Sequence, residues 1–250
     1  MTITNPALDE KLRYLRMSAI QQSLEARNQY ALENQLSYIE FFELLIEDEC
    51  ARRKSKAYQQ RLSKSKLNST KTLDQYDFAF QPEIDKKRIL DLMAGRYIEQ
   101  FQNIILMGKP GTGKTHLANA FGLQALKQGR SVIFTHVHSL LDRLQQGRID
   151  GSHQRIMSQI NNVDLLILDE LGFRKMPAQS LDDFFELIRA RYEQKATIFT
   201  SNRSFEHWGE ILGDKILAGA IIDRIVHHAH IIRINGESYR VKDFNNIKNN

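Results

Sequence analysis

Residues 108–115 read Gly108-Lys109-Pro110-Gly111-Thr112-Gly113-Lys114-Thr115, two glycines bracketing four residues and followed by a lysine and a hydroxyl residue. This is the phosphate-loop pattern. It stands directly after an apolar run of strand length, Asn103 to Met107, and opens a helical pattern that carries Leu117, Ala118 and Phe121. Glycines let backbone N–H groups turn inward around phosphates, and the helix N-terminus adds the positive end of its dipole. Lys114 is then expected to reach the β and γ phosphates of a nucleotide, and Thr115 to ligate Mg²⁺.

Around this loop, short apolar runs alternate with helical patterns. Val132 to His136, Val163 to Leu168, Thr197 to Thr200 and His230 to Ile234 join Asn103 to Met107 as five buried strands. Helical spacing covers about 83–100, 114–128, 138–161 with interruptions at Gly147 and Gly151, 178–194 and 214–227. Such alternation predicts an α/β domain with a parallel sheet. The third run, Leu165-Leu166-Ile167-Leu168, ends in Asp169-Glu170, two carboxylates at the sheet edge where ligands bind in such folds. Asp169 is expected to hold Mg²⁺ through water and Glu170 to polarise an attacking water. One strand, Val132 to His136, lies between the two elements, as in ATPases that insert a strand there. The fourth run ends in Ser201-Asn202, which makes Asn202 a candidate sensor beside the γ phosphate. Asp223-Arg224 closes the last helical pattern, where an arginine can serve as a finger in a neighbour's site.

Upstream, Asn5-Pro6 starts a helical pattern through Leu8, Leu12, Leu15, Ala19 and Leu24, read as one amphipathic helix ending near Glu33. Ser37 with Glu40 forms a capping box that starts a second helix, running through Phe41, Phe42, Leu44 and Leu45 toward Tyr58 and Leu62. Residues 1–66 are thus expected as a small helical module, 67–75 as a linker and 76–250 as the α/β domain. With 42% hydrophobic residues and 4 prolines in 250 residues, wholesale disorder is excluded. A single cysteine, Cys50, excludes an intrachain disulfide and an all-cysteine zinc site, and a reducing compartment fits. No apolar run approaches the roughly 18 residues of a membrane span, so no membrane partner and a cytoplasmic location are expected.

The net charge of +5 is not evenly spread. Between Ala51 and Leu73 stand Arg52, Arg53, Lys54, Lys56, Arg61, Lys64, Lys66 and Lys71 with no acid, a local +8 that leaves the rest of the chain at −3. A solvated helix end is the ordinary reading of such a run; contact with a nucleic-acid backbone is the functional one. His227, His228 and His230 straddle a helix end and a strand without cysteine or acidic partners, so no metal is expected there. Trp208 and the phenylalanines are expected in the core rather than as base-stacking platforms, although Phe205 and Trp208 are read as lying in a loop.

Taken in order, the phosphate loop, Leu-Asp-Glu-Leu-Gly at 168–172, Thr-Ser-Asn at 200–202 and Asp-Arg-Ile at 223–225 resemble the AAA+ ATPases of the DnaA/DnaC-like clade. With the N-terminal helices, Tyr76-Asp77-Phe78 and Gly-Lys-Thr-His at 113–116, the whole chain is similar to the IstB family of insertion-sequence transposition helper ATPases. The resemblance implies an AAA+ P-loop core with a five-stranded parallel sheet behind a small N-terminal helical domain. It implies nucleotide binding by Gly108 through His116, a first sensor at Asn202 and a trans-acting finger at Arg224. The helices from Ser139 to Asn161 fall where the clade places a DNA-binding insert, making Arg143, Arg148 and Arg155 candidate phosphate contacts alongside Arg52, Arg53, Lys54 and Lys56. Sixteen residues follow Ile234, too few for the helical lid of many AAA+ proteins, which leaves Arg240 in Gly-Glu-Ser-Tyr-Arg as the substitute second sensor. The implied function is a Mg²⁺-dependent ATPase, stimulated by DNA and partner, that oligomerises on double-stranded DNA and assists a cognate transposase. A replicative helicase loader of the DnaC type has the same core motifs. A small-molecule kinase fits less well, because the chain shows no acceptor lid and carries Glu170 for water activation.

Overall fold

A computed structural model describes residues 6–239, apart from the side chain of Lys215, and divides the chain into two compact units that meet in sequence at Gln60 and Arg61. Arg240 lies outside the described residues. None of the described helices is long and apolar enough to cross a membrane.

The first unit holds α1 (Pro6–Tyr14), α2 (Ser18–Glu33) and most of α3 (Tyr38–Ser65). The single helix expected from Pro6 to Glu33 is therefore two. Arg16 adopts a left-handed φ of 56°, and Met17 N–H donates to Leu12 O at 2.8 Å, closing α1. The bend has a packing reason, since it brings Leu12 and Ile20 together with Leu45 in one small core. The capping box forms as read: Ser37 N and Oγ both donate to Glu40 Oε2 at 2.7 Å. Buried Glu49 accepts from the Ala19 amide at 2.9 Å, and Arg27 pairs with Asp48 at 2.6 Å.

The second unit is built on a five-stranded parallel sheet in the order β2-β3-β4-β1-β5. Its strands are β1 (Asn103–Gly108), β2 (Val132–His136), β3 (Leu165–Leu171), β4 (Ala196–Ser201) and β5 (Ala229–Ile234). The helices are α4 (Lys86–Met93), α5 (Arg96–Glu99), α6 (Lys114–Lys127), α7 (Val137–Asp150), α8 (His153–Asn162), α9 (Ala178–Arg191), α10 (Phe205–Leu212) and α11 (Lys215–Val226). Ile104, Ile105 and Leu106 of β1 and Leu165 through Leu168 of β3 are fully buried, as strands covered on both faces must be.

Three expectations change here. Residues 67–75 do not hang as a linker: Asn68 N–H donates to Asn119 Oδ1 of α6 at 2.9 Å, and Leu67 packs at Gly122 of the same helix. Gly147 does not interrupt its helix; α7 runs through it to Asp150, and Gly151, at φ 76°, ends it. A β-carbon at 147 would sit 2.9 Å from His153 N, so this glycine serves the close approach of the α8 start. Phe205 and Trp208 lie on α10 rather than in a loop, because Trp208, Ile211 and Leu212 pack an apolar face against the core. Trp208 is buried, and its Nε1 donates to Ser201 Oγ at 3.2 Å.

Candidate nucleotide site

The strand order sets the site. β4 lies between β1 and β3, so its C-terminal end separates the phosphate loop from the Asp169-Glu170 carboxylates and can touch both. Gly113, at φ 94°, turns the loop into α6, and no side chain caps that helix, which leaves its first amides for an anion. Gly113 is needed twice over, because a β-carbon there would lie 2.7 Å from the Tyr76 ring. The buried Tyr76 hydroxyl donates to Thr112 O at 3.4 Å, and burial pushes its phenol up to about 12. Lys114 Nζ sits inside the loop, donating to Gly108 O and Lys109 O at 2.7 Å each. His116 Nε2 is 2.7 Å from Thr72 O; a carbonyl only accepts, so Nε2 carries the proton.

The two carboxylates are held differently. Asp169 is 1% exposed and accepts from Thr115 Oγ1 at 3.0 and 3.1 Å and from Thr200 Oγ1. Glu170 is 53% exposed and faces the cavity. The difference comes from the backbone: the β3–β4 ladder slips register between Leu168 and Leu171, and Glu170 takes a left-handed φ of 62°. A bulge of this kind re-aims a side chain and leaves an amide without its ladder partner. Here Thr200 Oγ1 accepts that amide, Glu170 N–H, at 3.0 Å. Thr200 thus touches both acidic residues, a role sequence reading did not give it, although the residue stood inside the quoted Thr-Ser-Asn. His136, paired in register with Asp169, places Nδ1 3.4 Å from Asp169 Oδ2 and 3.5 Å from Glu170 Oε2. It too was missed, since nothing in a strand-end histidine announces its cross-strand partner.

Glu170, Thr200, Lys114 and Thr115 line one cavity of about 570 Å³ together with Asn202, Asp77, Phe80 and Gln81. Tyr239 also lines it: its N–H donates to Gly111 O at 2.9 Å, and its ring meets Phe80 edge-on at 5.2 Å. The volume and the mix of aromatic and polar walls suit a nucleotide. Thr115 and Asp169 offer hard oxygen donors side by side, which suits Mg²⁺.

Arg224 does not join this cavity. It lines a cleft with Asn103 at the start of β1, one strand length of roughly 16 Å from the loop, donates to Ala220 O at 2.8 Å and lies over the Phe185 ring. Among the candidate DNA contacts, Arg148 is paired with buried Asp183, Arg53 with Glu49 at 2.7 Å, and Arg52 donates to Gln22 at 2.7 Å. Lys54, Lys56 and Arg155 are exposed, and Arg143 is half-buried.

With this geometry in view, residues 10–246 match the family of IstB-like ATP binding proteins. The chain belongs to this family. It is 38% identical over 94% of its length to the ATP-binding protein of insertion sequence IS21 from Pseudomonas aeruginosa, covering 89% of that protein. It is 36% identical, again over 94% of its length, to the ATP-binding protein of insertion sequence IS5376 from Geobacillus stearothermophilus, covering 94% of it. The fold of this IstB-family chain is that of AAA+ P-loop proteins. The DnaC helicase loader matches 66% of the chain and 97% of its own at a TM-score of 0.58 and 23% identity. AMPPCP-bound DnaA from Aquifex aeolicus matches 74% of the chain and 57% of its own at 0.59 and 23%.

Proposed function

We propose that this IstB-family chain is a Mg²⁺-dependent ATPase that assembles on double-stranded DNA and assists its cognate transposase in selecting and integrating into a target. The observation that carries the reading is the pair of carboxylates with divided roles: Asp169 buried against Thr115 and Thr200, Glu170 turned into the cavity beside the phosphate loop. Lys114 exchanges its two loop carbonyls for β- and γ-phosphate oxygens, and the first amides of α6 bind the same phosphates. Thr115 and Asp169 would hold Mg²⁺, which would supply positive charge beside those oxygens. Glu170 accepts the proton of the attacking water, and Asn202 orients that water at the cavity wall. A γ phosphate surrounded in this way goes to water rather than to a metabolite, which disfavours a kinase.

Arg224 lies too far from its own loop to act there and serves a neighbouring subunit. Lys54, Lys56, Arg143 and Arg155 contact DNA phosphates; Arg52, Arg53 and Arg148 are committed to partners within the fold and contribute charge. Similarity of 36–38% over 94% of the chain to insertion-sequence proteins, against 23% over 66% to a helicase loader, favours transposition over helicase loading.

The deciding experiment is DNA binding with ATP, ADP or no nucleotide across a salt series, with particle size read at the same time. A large DNA-bound species that forms with ATP and weakens steeply with salt is expected, its slope counting the phosphate contacts. Absence of DNA binding in every nucleotide state would overturn the reading.

A further inference from the structure

The three histidines near the end of α11 do not behave as a group. His230 Nε2 is taken by Gln102 Oε1 at 2.8 Å. His227 and His228, in contrast, lie with ring centroids 3.9 Å apart and planes tilted by 43°, and the turn after α9 brings Glu193 against them. The acidic partner that the local sequence lacked is therefore supplied from 34 residues upstream of His227. One ligand atom from each of Glu193, His227 and His228 lies within 4.8 Å of the other two.

We propose that Glu193, His227 and His228 form a site for a divalent transition-metal ion of the zinc class, separate from the nucleotide cavity. His228 Nε2 and Glu193 Oε1 are 3.3 Å apart. That is about the edge of a tetrahedron built with bonds of 2.0–2.1 Å, so this spacing admits both atoms as ligands of one tetrahedral ion. The third is held nearby: Tyr192 Oη hydrogen-bonds His227 Nδ1 at 2.7 Å and the Tyr192 ring stacks on the imidazole, which fixes its orientation and leaves Nε2 for an ion. Two imidazoles and one carboxylate favour zinc, cobalt or nickel over magnesium or calcium, and three protein ligands leave a position open to water. Glu193 also holds a left-handed φ of 55° just past the end of α9, where glycine is the residue of least cost. An ion here would tie the C-terminal end of α11, three residues beyond Arg224, to the α9–β4 turn, and so fix the seat of that arginine.

The test titrates Co²⁺ into the full-length, chelator-stripped protein in excess Mg²⁺ and ADP, which keep the carboxylates of the nucleotide site occupied. One equivalent with the strong visible absorption of low-coordinate Co²⁺ is expected, and Zn²⁺ should displace it. The signal should be lost in His228→Ala and Glu193→Gln and kept in His230→Ala and Asp169→Asn. Where circular dichroism shows Glu193→Gln misfolded, Glu193→Gly, which relaxes the left-handed backbone, takes its place. Zn²⁺ should also raise the thermal midpoint of the native chain and leave that of the Glu193 variant unmoved. No tight equivalent in the native chain, or an undiminished signal in the Glu193 and His228 variants, would overturn the site.

Discussion

Glu170 and Asp169 are neighbours in sequence and opposites in environment. A buried carboxylate braced by two hydroxyls is fixed in place, whereas an exposed one on a left-handed backbone is turned into the cavity. Glu170→Gln keeps the shape and removes the proposed base. It should bind ATP with nearly native affinity while the rate of hydrolysis falls by about 10²–10⁴-fold, the usual worth of a positioned general base. Equilibrium nucleotide binding and single-turnover hydrolysis on the same preparation separate the two; hydrolysis at the native rate would remove Glu170 from its role. The sequence motif pointed to both carboxylates but not to Thr200 or His136, since a hydrophobic strand followed by two acids says nothing about the neighbouring strands' side chains.

Among the elements, the α7–α8 pair depends on a residue with no side chain. Gly147 looked like a helix interruption because glycine is a poor helix former, yet the helix continues and the glycine admits the His153 backbone. Gly147→Ala should improve local helix propensity and still destabilise the protein, by roughly 1–3 kcal/mol, because backbone in contact at 2.9 Å has nowhere to retreat. Denaturant unfolding gives the sign directly. In the N-terminal unit, α2 and α3 are clasped by Arg27 and Asp48. The guanidinium and its hydrogen bonds lower the Asp48 carboxyl from 3.8 to about 2. A depressed carboxyl pKa means that the folded state binds the proton less readily than the unfolded one. The stabilisation is therefore present above pH 4 and lost as pH falls toward 2. Hydrogen exchange in α2 and α3 should rise over that window in the native chain, and Asp48→Asn should remove this part of the pH dependence.

At the scale of the whole molecule, the sheet order puts the phosphate loop at one end of β1 and Arg224 in a cleft at the other. A single chain with that layout cannot complete its own site with this arginine. Arg224→Ala and Lys114→Ala are each expected to have little ATPase activity alone. Mixed, they should recover activity above the sum of the two, because a Lys114→Ala subunit still donates Arg224 to an intact loop beside it. A steady-state ATPase titration of one variant into the other measures this; strict additivity at every ratio would place the role of Arg224 elsewhere.

The phosphate-loop pattern, the acidic strand end, the five strands and the start of α3 were legible in the sequence, because each leaves a local pattern within a few positions of the chain. A loop with glycines at 108 and 113 and a Ser37–Glu40 capping box are local hydrogen-bonding geometry, and buried parallel strands write themselves as continuous apolar runs. It took the folded chain to show that Thr200 Oγ1 holds the Asp169 carboxylate and the Glu170 amide, that residues 67–75 pack on α6, that the first helix breaks at Arg16, and that Glu193 meets His227 and His228. Each of these depends on chain segments far apart in sequence, and their approach is set by how the sheet and its helices close around one core.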